Sequence, residues 1–305
     1  MDSTQQSQRL GYVSALSAYV FWGFAPFYFK AIPEVDPWEI IAHRVIWAVP
    51  VMALFLLYRD GWGWIRKLRL PPRLILGLLL SGVLVSTNWL IFVWAVVNDR
   101  VLSTSLGYFI NPLVNVLLGF LFLRERLTPN QAAAVGLAAI GTVYLAWFLG
   151  EAPWVSLALG LTFGLYGLTR KRLLVGPMTG LMWEVLLLFP AALLFMGYRG
   201  LKGSLDFLHI DAVTDGLLLA AGLITVLPLI MFNRAAQILP LSILGLFMYI
   251  APSMTFILAI LVWNEPFTQG HGVAFVCIWT ALIMITIESW RRARRLKRLG
   301  RDVRV

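Results

Sequence analysis

The sequence predicts an all-α membrane protein of ten transmembrane helices built as a 5+5 inverted repeat, and three observations carry that prediction. Of the 305 residues, 60% are hydrophobic and only 13% are charged, with a mean hydropathy of +0.80; a soluble domain carries about 25% charged residues. Apolar segments of the ~20 residues needed to cross a ~30 Å hydrocarbon core follow one another along nearly the whole chain. Finally, the chain matches itself at an offset of 140 residues.

The ten spans fall at roughly 11–31, 39–58, 73–97, 102–123, 130–149, 152–169, 179–197, 213–234, 240–263 and 269–290. The first is expected to be retained rather than cleaved, because the small residues of "SALSA" open its apolar run instead of following it. The single cysteine, Cys277, lies in the last span, has no partner for an internal disulfide, and reads as a small buried apolar side chain.

The net charge of +10 is distributed as a membrane topology would distribute it. With the N-terminus inside, twenty basic residues fall on the inner side, from Arg9 through the Arg59–Arg73 and Arg170–Arg172 groups to eight after Trp290. Four fall outside, at Lys30, Arg100, Arg199 and Lys202, and Arg44 is left within a span. Both termini are therefore expected in the cytoplasm. The tail "RRARRLKRLGRDVR" reads as an anchor on an anionic leaflet of membrane lipids. It is not read as a nucleic-acid binder, since it lacks interleaved aromatics and follows a span directly.

At the 140-residue offset Pro37 meets Pro177, Pro50 meets Pro190, Pro112 meets Pro252, Glu125 meets Glu265 and Thr128 meets Thr268, with no gap. Leucine matches are cheap in such a chain; three prolines and a glutamate in register are not. The expected organisation is a first repeat over residues 1–149, a second over 150–290 and a basic tail over 291–305. Five spans is an odd number, so the halves enter the membrane in opposite senses. That is the architecture of many secondary transporters, with the substrate near the midplane between the repeats.

Several blocks of sequence carry a family resemblance. "LRERLTPNQAAAVGLAAIGTVYL", Leu123 to Leu145, resembles the Glu-Arg-Leu-Thr ending and glycine-spaced helix of the EamA domain of the drug/metabolite transporter superfamily, and "WNEPFTQGHGVAF" repeats it weakly. "YVFWGFAPFYFKAI", "AHRVIW", "NWLIFVWAV" and "SLGYFINPLVN" resemble the RarD group, named for chloramphenicol sensitivity. The resemblance covers nearly the entire chain. It implies a ten-helix inner-membrane permease exporting a small amphipathic metabolite, with amino acids or related compounds as the substrate class and chloramphenicol-like drugs as opportunistic ligands.

The candidate site residues are polar groups in apolar surroundings. In the fourth span Thr104, Tyr108, Asn111 and Asn115 are spaced four, three and four apart and form one helical stripe, with Pro112 freeing a backbone carbonyl near Tyr108. Such a stripe faces protein or a water-filled cavity, because amides left in hydrocarbon go unsatisfied. Interhelical packing would also account for it. However, the ninth-span positions at the offset, Leu244, Met248, Ala251 and Thr255, are largely apolar, which favours substrate contact for Tyr108 and Asn111 and packing for Thr104 and Asn115. Asn88 and Trp89 in the third span, with Tyr249 in the ninth, complete an aromatic and amide lining suited to a small amphipathic solute. Trp38, Trp62, Trp64, Trp154 and Trp290 read instead as interfacial belt residues.

His43 and Arg44 in the second span are gate or coupling candidates, since ionisable residues at membrane depth are functional by default. Arg44 aligns with Glu184 at the offset. Inversion puts the two in opposite thirds of the membrane, ~14 Å apart along its normal at 1.5 Å per residue, as two stations rather than one ion pair. Snorkelling of Arg44 to the surface is the competing reading. Lys30 is an outer cation that could guide an anionic solute, and most of "TRKR" reads as interface anchoring. Glu125 and Glu265 read as structural motif residues with Pro112 and Pro252. Thr128 to Gln131 forms a capping box, and Glu125 is expected to meet the positive end of the fifth helix.

No phosphate-binding glycine loop, HExxH pair, Cys/His cluster or Gly-x-Ser-x-Gly motif occurs, so neither ATP-driven transport, a metal site, a cofactor nor an enzyme is expected. The rival class is a membrane sensor or scaffold that binds such a ligand without moving it and signals through the basic tail.

Overall fold

A computed structural model describes residues 3–123, 128–149, 153–238 and 247–302; for a minority of these, including Pro112, Asn115, Lys171 and the residues from 289 on, only the backbone is described. The described residues form helices and no strand. In order they are α1 (Ser3–Lys30), α2 (Pro37–Asp60), the one-turn α3 (Trp64–Lys67), α4 (Pro72–Val97), α5 (Val101–Leu123), α6 (Pro129–Leu149), α7 (Trp154–Leu173), α8 (Pro177–Leu201), α9 (Ala212–Ile238), α10 (Ile250–Leu261) and α11 (Gln269–Asp302).

Local sequence explains where these helices begin. Prolines occupy the first turn of α2, α4 and α8, where a missing N–H costs nothing. Asp36 caps α2 by accepting from the Trp38 N–H at 2.8 Å. At the start of α6 Thr128 and Gln131 bond reciprocally, Gln131 Oε1 accepting from the Thr128 N–H at 3.0 Å and Thr128 Oγ1 accepting from the Gln131 N–H at 3.2 Å. The positions 140 residues later repeat the device at α11, with His271 standing where Gln131 stood opposite Thr268. Pro26, Pro50, Pro190 and Pro228 lie within helices, which bundled membrane helices tolerate.

Seven stretches, covering α1, α2 with α3, α4, α6, α8, α9 and α11, are long and apolar enough to cross a bilayer by length and composition. Helix α10 has 12 residues, and most of the upstream half of the expected ninth span lies outside the described residues. Helix α11 continues without a break to Asp302, so the last span and most of the basic tail are one helix. Large apolar side chains such as Leu54, Leu76, Val143, Leu194 and Val276 are exposed, as a lipid-facing surface requires. The core gathers Phe29, Ile40, Phe92, Leu106, Leu159 and Phe275 from six helices. Of the expected belt tryptophans, Trp38, Trp62 and Trp154 are exposed, whereas Trp64 packs against the cluster around Met52 and Met182.

The principal packing partners are α6 with α11, α5 with α7, α1 with α9, α4 with α7, and α2 with both α9 and α8; α10 packs on α1 and α5. Helices α2 and α8 run antiparallel, because Asp36 at the start of α2 pairs with Arg199 in the last turn of α8 at 2.6 Å. Helices α6 and α11 do the same, with Asn130 in the first turn of α6 donating to the Met284 carbonyl and to Glu288 at 3.1 Å. Glycines permit two of the closest approaches: Gly107 lies against the Ser156 backbone of α7, and Gly222 lies against the Trp47 backbone of α2.

Candidate substrate site

The polar stripe on α5 divides once the neighbouring helices are in place. Thr104 is buried and turns its hydroxyl back to the Val101 carbonyl at 2.7 Å, a local bond that accounts for it without a ligand. Ser105 donates to the Pro252 carbonyl of α10 at 2.8 Å. Tyr108 donates to Asn88 Oδ1 of α4 at 3.2 Å, and Asn88 Nδ2 in turn donates to the Leu159 carbonyl and Thr162 Oγ1 of α7, both at 2.9 Å. The Asn88 amide is thus held from α5 and α7 together. One turn on, Asn111 is 2% exposed, and its Oδ1 has no hydrogen-bond partner among the described residues. An acceptor left open in a dry interior costs about 1–3 kcal/mol, a deficit that a ligand or water would relieve. Pro112 lies in the same helix; the Asn115 side chain lies outside what is described.

Beside this cluster sits Arg44. Its Nε donates to Thr225 Oγ1 of α9 at 3.0 Å, and its guanidinium lies over the Trp89 ring of α4 at 4.4 Å and the Phe29 ring of α1 at 5.5 Å. The ionisable groups near enough to act on it are Tyr28 and Tyr108. No carboxylate lies within ion-pairing distance among the described residues, and Arg44 is only 9% exposed, so it does not snorkel to water. Adjacent His43 accepts at Nδ1 from Trp47 Nε1 at 3.1 Å and packs its ring on Phe207 of the α8–α9 connection. That bond leaves Nε2 as the protonated nitrogen of the neutral ring, buried and without a partner among the described residues.

Glu184 occupies the equivalent place in α8, seven residues after the opening proline as Arg44 is in α2. Its surroundings are opposite in character. Glu184 Oε1 accepts from the Ser81 hydroxyl of α4 at 2.6 Å and lies 3.5 Å from Arg170 Nε of α7, with Tyr166 nearby, while Glu184 Oε2 and Arg170 Nη1 are buried without a hydrogen-bond partner among the described residues. Glu184 and Arg44 belong to separate clusters. Both touch α4, at Ser81 and Trp89, eight residues or ~12 Å apart along the helix axis.

One end of the bundle is closed by charge. Arg199 meets Asp36 at 2.6 Å, Glu39 at 3.4 Å and Asp206 at 3.5 Å, and Glu39 accepts from the Asp206 and Phe207 N–H groups, tying the start of α2 to the α8–α9 connection. Lys30 is not an open outer cation: it pairs with Asp99, which sits at φ +55° in the turn before α5, and lies over Trp263. Glu265 is structural, yet the helix it serves is α5: its two oxygens accept from the Val101 and Leu102 N–H groups, each at 2.7 Å. Burial pushes its carboxyl above the ordinary range against the pull of those two bonds. Glu125 lies outside the described residues.

Tyr249 does not join the Arg44 cluster. It stacks on Phe109, about 100° round α5 from Tyr108, in an aromatic seam with Phe275 and Trp279. Pro252 contributes its carbonyl to that seam through Ser105. An open depression of about 430 Å³ at the start of α11, lined by Phe267, Val273, Val276 and the half-buried Cys277, is apolar and separate from both stations. No group of His, Cys, Asp or Glu suited to a metal occurs among the described residues.

Sequence reasoning missed Arg170 and Thr225 as partners of the two stations, and Glu39 with Arg199 as the end closure. The first was hidden in "TRKR", where one of three basic residues turns inward. A signal did exist: Arg170 aligns with Lys30 at the same offset that aligns Glu184 with Arg44.

The helical fold has a known counterpart, and the sequence has known relatives. A solved structure described only as the crystal structure of a protein matches the fold with a TM-score of 0.60 at 17% identity, over 93% of this chain and 98% of its own. Residues 9–147 match the model of the EamA-like transporter family. An uncharacterized transporter of Pseudomonas aeruginosa is 43% identical, covering 96% of this chain and 98% of its own. Protein RarD of Escherichia coli is 40% identical over 97% and 99%, and the chloramphenicol-sensitive protein RarD of Pseudomonas aeruginosa is 31% identical over 95% and 98%. Agreement of that extent over a multi-pass apolar chain places the protein in the EamA-like transporter family, among the RarD-like permeases of the drug/metabolite transporter superfamily.

Proposed function

We propose that the chain is a secondary transporter working by alternating access, with ten spans, two inverted repeats over 1–149 and 150–290, and a solute path between them. The observation that carries this reading is the packing of equivalent helices on one another in opposite senses, α2 with α8 and α6 with α11, around buried polar groups. Related pairings support it: α1 packs on α9 as α4 does on α7, and α1 on α10 as α7 does on α5. Both termini are assigned to the cytoplasm by the bias in basic residues, and the expected location is a bacterial inner membrane.

The solute is a small amphipathic metabolite. Tyr108, Asn111, Asn88 and Trp89 form its site, and His43, Arg44 and Glu184 act as gate or coupling groups. Amino acids are one candidate class; a chloramphenicol-like drug is a second, suggested by the name of one relative. Direction is proposed as export. Counterflow in proteoliposomes tests the reading: labelled solute should exchange through wild type and at least tenfold more slowly through Asn111→Ala at equal folded protein, about 1.4 kcal/mol. Ligand binding without exchange would make the chain a sensor instead.

A further inference from the structure

From the isolation of Arg44 we infer that the transported solute carries an anionic group, of the carboxylate or sulfonate class, which docks on this guanidinium. The inference deepens the site proposed above and rests on it. A guanidinium has five N–H donors, and only the Nε–H of Arg44 has a hydrogen-bond acceptor among the described residues. The surrounding polar groups are neutral hydroxyls: Thr225 accepts from Arg44 Nε while donating to the Ala221 carbonyl, and Tyr28 and Tyr108, which donate to the Leu217 carbonyl and to Asn88, accept nothing from the guanidinium. A buried cation without a counter-charge costs several kcal/mol, and a planar bidentate anion relieves that cost more fully than any neutral group.

The surroundings also disfavour a zwitterion. An ammonium group held beside Arg44 would meet a like charge with no carboxylate at ion-pairing distance among the described residues to offset it; Glu184 stands ~12 Å away along α4 and is already paired with Arg170. The rest of the solute would lie along Tyr108, which is flanked by Phe92 and Phe163 at ring separations of 5.8 and 6.2 Å, and would end at the open acceptor of Asn111. An aromatic or other flat apolar body bearing one anion fits these contacts.

The test uses the full chain in lipid nanodiscs with three probes: benzenesulfonate, a fixed anion; benzenesulfonamide, its neutral counterpart; and phenylalanine, a zwitterion. Calorimetric titration should show benzenesulfonate binding at least about tenfold more tightly than either of the others, the scale of one charge-assisted hydrogen bond. Arg44→Gln should abolish that preference, and Lys202→Gln, at an exposed position, should keep it. If Arg44→Gln yields no folded protein, Arg44→Lys, which keeps the charge and loses the planar fork, should reduce the preference several-fold. Equal binding of the three probes by wild type, or a preference that survives Arg44→Gln, would overturn the inference. Anion preference without counterflow would leave the anion site standing and remove the transport reading; counterflow indifferent to charge would do the reverse.

Discussion

Arg44 and Glu184 each stand seven residues after the opening proline of their helices, yet one is left without a counter-charge and the other has one, although Glu184 Oε2 and Arg170 Nη1 stay buried without a hydrogen-bond partner among the described residues. Around Glu184 the protein supplies Arg170, Ser81 and Tyr166. Around Arg44 it supplies two aromatic faces, one hydroxyl and no carboxylate among the described residues. The offset explains part of this: Arg170 aligns with Lys30, but Lys30 turns to Asp99 at the end of the bundle instead of facing inward. The two positions thus differ in chemistry: Glu184 has an ion-pair partner, and Arg44 has none among the described residues.

Four substitutions would break or sharpen that contrast, each read by thermal unfolding of purified protein. The largest effect is expected from Glu184→Gln, which strands the Arg170 charge in the interior and should cost about 3 kcal/mol. Glu265→Ala comes next, since it removes the acceptors of two N–H groups at the start of α5; a loss of about 2 kcal/mol is expected. Thr225→Val removes the single hydrogen bond to Arg44 and should cost about 1 kcal/mol, less than the loss from Glu184→Gln. Lys30→Gln should change stability least, by under about 1 kcal/mol, because its partner Asp99 is 78% exposed. A Lys30 effect as large as that of Glu184→Gln would mean that the two cations are not differently employed.

Much of this architecture was legible in the residues. Apolar length and first-turn prolines located the helices, and the threonine box at Thr128 specified the start of α6. The offset of 140 aligned Arg44 with Glu184 before any contact was known. Rotation about each helix axis was not legible, because a membrane helix is apolar on most of its faces and gives little periodic signal. Hence Tyr249 was grouped with Tyr108 although it packs on the neighbouring Phe109 instead. Hence also Arg170, next to two other basic residues, could not be told apart from its neighbours, which read as interface anchors. Glu265 shows a third limit: a carboxylate near a helix start reads as a cap for that helix, whereas folding brought it to the start of α5 more than 160 residues away.

The most direct test of the contrast is the thermal stability of Arg44→Gln without ligand, measured beside wild type and Glu184→Gln. An uncompensated buried charge costs more than one hydrogen bond and a ring contact return, so Arg44→Gln should unfold at or above the wild-type temperature. Benzenesulfonate should stabilise wild type and leave Arg44→Gln unchanged. A fall in stability for Arg44→Gln comparable to that of Glu184→Gln would show that Arg44 is already satisfied within the protein, and would contradict the account.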